Sequence, residues 1–378
     1  MAKVQKSRQK REHYYYQFDY MLLFMTVAIA LFGILMIYSA SSYTASTSRF
    51  GNTYRFVSRQ AVGMAGGVVC MLLMARIDYR ELYLKKINLV YVFYAVCLIL
   101  QTIVLIPGIG IEHNGARRWL KIGMEFQPSE FTKIGVIMFV AYAVYLSRKR
   151  LDTFKGFLKV MMYIAPAILL IAKENLSTAI IVTVIAVGMC FVASKRKRYF
   201  VVCGLAGFGL AAAYAMIGGG FRAGRITSWL DIENSPGGFQ ILQGLYAIAS
   251  GGITGSGLGK SMQKLGYIPE AYNDMIFAVI CEELGIVGAV LVMIAFLVLL
   301  WRIVIIACNA PDIFGSMICV GVMIHIAIQV LFNIAVVTNT IPSTGVPLPL
   351  ISYGGTACLI MMMEFGLVLS VSARIKRK

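Results

Sequence analysis

Asp274 is the residue whose type and position point most directly to chemistry. It lies in the segment from Gly251 to Gly285, between a first half rich in glycine and polar residues and a second half that is an apolar helical stretch. A carboxylate is costly to keep where a loop enters a bilayer, so a catalytic or ion-handling role is the first hypothesis. Aspartate is also favoured as a helix N-cap, and that simpler interpretation stays open.

The composition predicts the class of protein that contains this segment. Hydrophobic residues make up 59% of the 378 residues and charged residues 14%, whereas a soluble globular chain is about half apolar and about a quarter charged. We therefore expect an all-α polytopic membrane protein. The eight cysteines occur without a CxxC pair or a nearby histidine cluster, which indicates buried apolar side chains and no metal site.

Apolar runs of about spanning length predict ten transmembrane helices. The first run begins near Tyr20, and the others lie near 57–75, 88–106, 130–147, 157–172, 176–193, 199–217, 274–303, 315–338 and 354–373. Most basic residues fall in alternate loops, so the positive-inside rule places both termini in the cytoplasm.

The predicted topology accounts for the net charge of +18, because basic loops on the cytoplasmic side attract anionic membrane lipids. The charge is divided among short loops, so nucleic acid is not a predicted partner. The resulting organisation has a basic N-terminal tail at 1–18, a single ten-helix domain at 19–373 and a basic C-terminal tail at 374–378.

The longest connection is a large exterior loop at 218–272, between the seventh and eighth predicted helices. Loops of this length are usually functional or disordered. The amphipathic spacing from Phe239 to Ala249 and the aromatic Trp229 favour a loop packed on the membrane surface. The run Gly255–Ser261 looks like a phosphate-binding P-loop, but Thr254 stands where that motif requires glycine, so we exclude it.

A second exterior loop combines basic and aromatic residues with the start of a helix. It carries Arg117, Arg118, Trp119, Pro128, Glu130 and Lys133. Pro128 and Glu130 are typical of a first helical turn, and Lys133 follows Glu130 at a spacing that allows an ion pair. Basic side chains beside a helix N-terminus would suit a diphosphate. Arginines that snorkel beside an interfacial tryptophan are the simpler alternative.

The last exterior segment, Thr338–Gly355, contains too many prolines and glycines to form a plain span. Irregular backbone at membrane depth is tolerated where protein or a wet cavity satisfies it, so this segment is predicted to line an outer vestibule.

Acidic and polar residues also occur within the predicted spans. In a straight helix running from Asp274, Glu282 and Glu283 would lie about 12 and 13 Å deeper and could not share a proton with it. We expect them to organise helix packing, with an ion pair to a basic residue of another span. His325, Gln329 and Glu364 lie at mid-span, where an interhelical hydrogen bond is expected.

Several motifs, in order along nearly the whole chain, resemble those of one family. They are Tyr38–Ser42, Gly115–Trp119, Gln127–Lys133, Lys264–Ala271, Asp274–Val279, Glu282–Gly285 and Pro347–Gly355. Together they resemble the SEDS family, the shape, elongation, division and sporulation proteins FtsW, RodA and SpoVE. The segment Gln263–Tyr267 is more similar to the FtsW and SpoVE branch than to RodA.

The resemblance implies a peptidoglycan glycosyltransferase that polymerises lipid II on the outer face of the bacterial plasma membrane. It also implies a class B penicillin-binding transpeptidase as partner. Asp274 matches the family's essential aspartate, and the positions associated with the substrate cavity are Arg59, Arg118, Trp119, Glu130, Lys133 and Ser352. Gly354 and Gly355 belong to the signature that follows Ser352. Asn175, Tyr272 and Asn339 depart from the family pattern, which leaves reduced activity or altered substrate preference open.

The implied reaction fits the residue types. Asp274 would take the proton of the acceptor 4-hydroxyl while undecaprenyl diphosphate leaves from the opposite face of the donor sugar, with inversion. Arg117, Arg118 and Lys133 would neutralise the leaving diphosphate. No cofactor is required, although two phosphates could recruit a divalent cation without dedicated ligands.

Two other functions stay open on the sequence. The polar groups at mid-membrane are also typical of a transporter, here a lipid II flippase. The departures from the family pattern favour a noncatalytic scaffold of a division or sporulation complex. Roles in division, elongation and sporulation are equally compatible with these motifs.

Overall fold

The computed structural model describes residues 18–47, 54–84, 87–113, 115–122, 124–200, 204, 207, 209, 220–235 and 237–375. Within these residues, α-helices form nearly all of the regular structure. They are α1 (Tyr20–Thr47), α2 (Arg55–Arg76), α3 (Glu81–Leu84), α4 (Leu89–Ile103), α5 (Pro128–Ser147), α6 (Phe154–Glu174), α7 (Leu176–Ala193), α8 (Gly220–Leu230), α9 (Phe239–Gly251), α10 (Ile276–Asn309), α11 (Ile313–Val337) and α12 (Gly355–Ser372).

Eight of the described helices are long and apolar enough to cross a membrane, namely α1, α2, α5, α6, α7, α10, α11 and α12. The chain is therefore an all-helical multi-pass membrane protein in its architecture. Helix α4 is apolar but shorter, with 15 residues. The predicted span at 199–217 and the predicted tails at 1–18 and 374–378 lie largely outside the described residues. The count of ten spans and the cytoplasmic termini stay predictions.

The connection between α4 and α5 adds a small antiparallel sheet to the otherwise helical chain. Its strands are β1 (Ile111–His113), β2 (Ala116–Ile122) and β3 (Met124–Phe126), in the order β1-β2-β3. The strands are short and rich in charged residues, so no apolar alternation signals them. Gly115, with φ at 75°, provides the left-handed residue at the turn from β1 to β2.

Small residues bring α2 and α12 into close contact. A Cβ on Gly63 would lie 2.6 Å from the Cα of Gly355, and a Cβ on Gly366 would lie 2.8 Å from the carbonyl oxygen of Met71. Helix packing in a bilayer gains little from the hydrophobic effect, and small residues let backbones approach for dispersion contacts. This interface holds the N-terminus of α12 at a fixed depth.

Helix α10 breaks at Gly285, so the expectation of a straight helix beyond Asp274 is wrong. Gly285 has φ at 67° and ψ at −167°, a conformation outside the helical region. A break inside an apolar helix frees backbone N–H and C=O groups, and each free group in a bilayer costs several kcal/mol. The break therefore needs partners for these groups.

The glycine-rich loop after α9 supplies those partners. The carbonyls of Glu282 and Glu283 accept the N–H groups of Ser256 and Gly257 at 2.9 Å each, and the N–H groups of Ile286 and Val287 donate to the carbonyls of Gly252 and Ile253 at 3.0 and 3.2 Å. Glycine is required in the loop because the two backbones nearly touch. A Cβ on Gly255 would lie 2.2 Å from the carbonyl oxygen of Glu283.

Substitution of two glycines of this loop distinguishes the clash of an added Cβ from the strain of a positive φ. Gly255 and Gly259 both have φ at 80°, but a Cβ on Gly259 would meet nothing within 4 Å. We expect Gly259→Ala to cost about 1 kcal/mol of stability through backbone strain alone. Gly255→Ala adds a backbone clash, and we expect a loss of more than about 3 kcal/mol. Thermal unfolding in detergent measures both, and equal losses would contradict the tight pairing of the loop with α10.

Candidate functional site

Asp274 lies in the turn that precedes α10. The helix begins at Ile276, and Met275 occupies its N-cap position without a side-chain cap. The N-cap interpretation of Asp274 is therefore wrong. Its carboxylate is available for another role.

The carboxylate lies between α9 and the 338–354 segment. Gln240, on α9, donates its amide N–H to Oδ1 of Asp274 at 3.4 Å. On the other side, Oδ2 is 3.8 Å from the position that a Cβ on Gly345 would occupy. Gly345 has φ at 63°, so this backbone conformation also favours glycine. At 3.4 Å the hydrogen bond from Gln240 is weak, so it does not saturate the acceptor capacity of the carboxylate.

Backbone contacts fix the turn that carries Asp274. The amide of Asn333, on α11, donates to the carbonyl oxygens of Asp274 and Val346 at 2.7 and 2.9 Å. The N–H of Tyr353 donates to the carbonyl of Tyr272 at 3.0 Å. The turn is thus bonded to both α11 and the 338–354 segment.

An aromatic cluster supports the same turn. The ring of Phe56, on α2, lies 4.5 Å from that of Tyr272 and 5.2 Å from that of Tyr353, and the two tyrosine rings are 5.6 Å apart. Aromatic pairs at such distances add to the stabilisation from burial. Burial also raises the pKa of Tyr272 to about 12, so it stays neutral at ordinary pH. Tyr272, a departure from the family pattern, is therefore a packing residue here.

Burial raises the pKa of Asp274 to about 6. The Glu270 carboxylate adds to the rise, whereas the backbone N–H of Asp274, the guanidinium of Arg225 and the amide of Gln240 oppose it. The side chain is half-buried, so water can still reach it. A carboxylate with this pKa is ionised at neutral pH and more basic than an exposed aspartate, as a general base requires.

The predicted arginines bind the C-terminal end of α6. The backbone N–H of Arg117 donates to Oε2 of Glu174 at 3.0 Å, and Nε of Arg118 donates to the carbonyl of Glu174 at 2.8 Å. The Arg117 guanidinium also pairs with Glu112 at 3.3 Å. A cation is favoured at a helix C-terminus because the free carbonyls carry partial negative charge. Trp119 lies beside them on β2, where it is half-buried and paired with Ile111.

The predicted ion pair at the start of α5 is confirmed. Nζ of Lys133 lies 2.9 Å from Oε2 of Glu130, and only 2% of the lysine side chain is exposed. A lysine buried this deeply requires a compensating charge. Glu130 provides it, and the pair carries little net charge.

Ser352, Gly354 and Gly355 form the turn that leads into α12. The Ser352 hydroxyl accepts the N–H of Leu348 at 2.7 Å, and Oε1 of Gln60 accepts the N–H of Gly354 at 2.9 Å. A Cβ on Gly355 would lie 3.0 Å from the carbonyl oxygen of Arg59. The Arg59 side chain is exposed on α2, one turn beyond Phe56. These contacts are structural, and substrate binding by Arg59 and Ser352 stays a prediction.

The structure thus separates the predicted site residues into two contact groups. Asp274, the aromatic cluster and the turn into α12 form one group, and the sheet with Arg117, Arg118 and Glu174 forms the other. The Thr356 hydroxyl, at the start of α12, donates to the carbonyl of Glu125 at 3.2 Å and joins them.

The residues that hold Asp274 in place were not predicted from the sequence. These are Gln240, Asn333, Gly345 and the nearby cation Arg225. Asn333 could have been identified from the sequence. It follows His325 and Gln329 at a spacing of four residues, so the three polar side chains share one face of an apolar helix. The other contacts depend on how distant segments fold back and leave no local pattern.

The side chains of Glu282 and Glu283 bind the glycine-rich loop, and their expected part in helix packing stays a prediction. Glu282 accepts the N–H of Met262 at 2.7 Å and the hydroxyl of Ser261. Glu283 accepts Nζ of Lys264 at 2.7 Å and the hydroxyl of Ser39 at 2.6 Å. The cationic partner therefore lies in the loop between α9 and α10, and the expectation of a partner on another span is wrong. The break at Gly285 is the reason, because it brings the loop against this part of α10.

The interhelical hydrogen bond expected at mid-membrane is confirmed for one pair. Nδ1 of His325, on α11, lies 2.7 Å from Oε2 of Glu364, on α12, and both side chains are almost fully buried. Among the residues that the structure describes, no group of histidine, cysteine and acidic side chains is close enough to hold a metal ion.

Three comparisons with known proteins agree with this architecture. The family model for FtsW, RodA and SpoVE, described as cell cycle protein, matches residues 20–377. Stage V sporulation protein E of Bacillus subtilis (strain 168) is 39% identical over 361 residues, which cover 94% of this chain and 96% of that protein. A probable peptidoglycan glycosyltransferase FtsW of Trichlorobacter lovleyi is 37% identical over 365 residues, 95% of this chain and 94% of that protein.

Two solved structures share the fold. One chain of a peptidoglycan synthase complex, studied for the coordination of polymerization and crosslinking, matches with a TM-score of 0.77 and 25% identity. The match covers 94% of this chain and 97% of that chain. The rod shape determining protein RodA of Thermus thermophilus matches with a TM-score of 0.70 and 25% identity, over 96% of this chain and 99% of that one.

The Lys264–Glu283 pair gives a stability test of the contact between loop and helix. Lys264→Met leaves Glu283 buried without its cation, so we expect a loss of about 3–5 kcal/mol. The double variant with Glu283→Gln should recover most of that loss, because it removes the uncompensated charge. Lys260, exposed in the same loop, provides the matched control Lys260→Met, which should change stability by less than about 0.5 kcal/mol. Equal thermal stability of the two single variants in detergent would refute the pairing.

Proposed function

The chain belongs to the FtsW, RodA and SpoVE family of cell cycle proteins, as its motifs predicted, and from this membership we propose that it is a peptidoglycan glycosyltransferase. In this proposal it polymerises lipid II into glycan strands on the outer face of a bacterial plasma membrane. The names of its FtsW relatives support the activity. The observation that carries it is the half-buried Asp274 carboxylate, with its raised pKa and only a weak side-chain hydrogen bond from Gln240.

The proposed reaction uses Asp274 as a general base. The 4-hydroxyl of the acceptor sugar loses its proton to the carboxylate, and its oxygen forms a bond to the anomeric carbon of the donor. The bond from that carbon to the diphosphate oxygen breaks, and undecaprenyl diphosphate leaves with the electron pair. Attack from the face opposite the leaving group inverts the anomeric centre.

The leaving diphosphate needs positive charge, because its own charge grows as the bond breaks. Arg225 is the cation that acts electrostatically on Asp274, and it joins Arg118 as a candidate contact of the diphosphate. Lys133 is paired with Glu130, so it would contribute only if the diphosphate displaced that carboxylate. The reaction as written requires no metal ion, and a divalent cation brought by the phosphates is compatible with it.

The partner proposed for this activity is a class B penicillin-binding transpeptidase. The similarity to a chain of a peptidoglycan synthase complex supports it. Crosslinking by such a partner would follow polymerisation by this chain at the same membrane surface.

A lipid II flippase is the second candidate function. The buried His325–Glu364 pair favours it, because ionisable groups at mid-membrane are typical of transport pathways. A noncatalytic scaffold is a third possibility that the same assay tests. Glycan polymer formed from labelled lipid II supports the enzyme, translocation in liposomes without polymer supports the flippase, and neither activity supports the scaffold.

Replacement of Asp274 tests the general base. We expect Asp274→Ala and Asp274→Asn to lower polymerisation of labelled lipid II by at least about 100-fold. In the parent protein the rate should fall about tenfold for each pH unit below about 6, because the base must be ionised. Binding of the labelled lipid should persist in both variants. Polymerisation by Asp274→Ala at the parent rate would contradict the proposed role.

A further inference from the structure

Asn333 is a buried polar residue that the proposed reaction does not use. It lies on α11, and only 1% of it is exposed. An amide in such a position must find hydrogen-bond partners, because burial without them costs free energy. The choice of partners therefore indicates what the residue does.

The amide of Asn333 joins the two segments that enclose the Asp274 carboxylate. Its nitrogen lies 2.7 Å from the carbonyl oxygen of Asp274 and 2.9 Å from that of Val346. Both donor hydrogens are used in these bonds. Val346 follows Gly345, the residue against which Oδ2 of Asp274 lies.

The carbonyl of Asp274 is available to Asn333 because of the way α10 begins. The N–H of Ala278, which would bond to Asp274 in a regular α-helical turn, donates to Met275 at 3.0 Å. Asp274 is therefore excluded from the helix, and Asn333 replaces the helical partner of its carbonyl. A shift of this carbonyl would move the carboxylate with it.

We propose that Asn333 is a positioning residue for Asp274. Its amide sets the separation between the Asp274 backbone and Val346, and thereby holds the carboxylate against Gly345 and within reach of Gln240. This inference rests on the proposed glycosyltransferase function. A general base must lie within hydrogen-bond distance of the proton it removes, so a displacement of about 1 Å at this point lowers the rate without abolishing binding.

The electrostatic surroundings of Asp274 make the pH dependence of the polymerisation rate a specific readout of the position of its carboxylate. Within the part of the chain that the structure describes, the charged groups that act on it are Glu270, in the preceding turn, and Arg225, on α8, and Gln240 on α9 contributes a neutral donor. The 338–354 segment holds Tyr353 as its only ionisable side chain. Asn333 is itself neutral, so replacing it by another neutral residue adds no charge. A shift of the pH profile would therefore report a change in the position and hydration of the carboxylate.

Two variants of one helix provide a matched comparison. Asn333→Leu removes both donors while it keeps a similar volume. Gln329→Leu makes the same change in another buried amide, one turn deeper on α11. Each variant is purified as full-length protein in detergent and assayed on labelled lipid II over a range of pH, with its folded fraction measured by thermal unfolding.

We expect Asn333→Leu to lower kcat at least about tenfold while KM changes less than about twofold. The midpoint of the acidic limb of its pH–rate profile should move below the parent value of about 6, because a carboxylate that is released from its contacts gains hydration. Gln329→Leu should have the same acidic limb of the pH–rate profile as the parent protein and the same kcat per folded molecule. If Asn333→Leu does not fold, Asn333→Ser replaces it, and the same shift of the limb is expected.

An unchanged kcat and an unchanged acidic limb in the Asn333 variant would overturn the positioning role. So would a loss of activity that only follows the folded fraction, or an equal shift in Gln329→Leu. Asp274→Ala is assayed in parallel. If Asp274→Ala polymerises lipid II normally, the proposed function fails, whereas an inactive Asp274→Ala beside a normal Asn333→Leu refutes the positioning role alone.

Discussion

The structure depends on keeping one carboxylate partly out of water. An aspartate in such a place is held only if several segments surround it, because the ionised form loses hydration that few hydrogen bonds replace. Around Asp274 these segments are α9, through Gln240, α11, through Asn333, and the 338–354 segment, through Gly345. The same burial raises the pKa of the carboxyl to about 6 and makes it a stronger base. The segments that bury the Asp274 carboxylate therefore determine both its position and its basicity.

The break in α10 anchors the loop that precedes Asp274 in the chain. At Gly285 the helix loses backbone hydrogen bonds, and the loop at 252–257 restores them with its own N–H and C=O groups. The loop is then anchored a second time, because Lys264 and Ser261 bind the paired acids Glu283 and Glu282. Asp274 lies between this anchor and the start of the helix. The two glutamates thus fix the loop that precedes Asp274 in the chain.

Much of this protein could be predicted from its sequence. Hydropathy located the eight long apolar helices of the described residues, although α10 extends beyond its predicted end, and Pro128 marked the start of α5, because hydropathy and capping are local properties of the sequence. Motif order indicated Asp274. The partners of that residue could not be predicted, since Gln240 and Asn333 reach it only through contacts between distant segments. The break at Gly285 was missed for a related reason. A glycine within an apolar run is compatible with a straight helix, and only the packed loop fixes the kink.

The protonation of Asp274 itself is the most direct measurement of the central claim. Infrared difference spectroscopy on the full-length protein in detergent detects the C=O stretch of a protonated carboxylic acid, and subtraction of the Asp274→Asn spectrum isolates this residue. The account predicts a band that titrates with a midpoint near pH 6, in step with the acidic limb of lipid II polymerisation. A midpoint near about 4, as for an exposed aspartate, would contradict it.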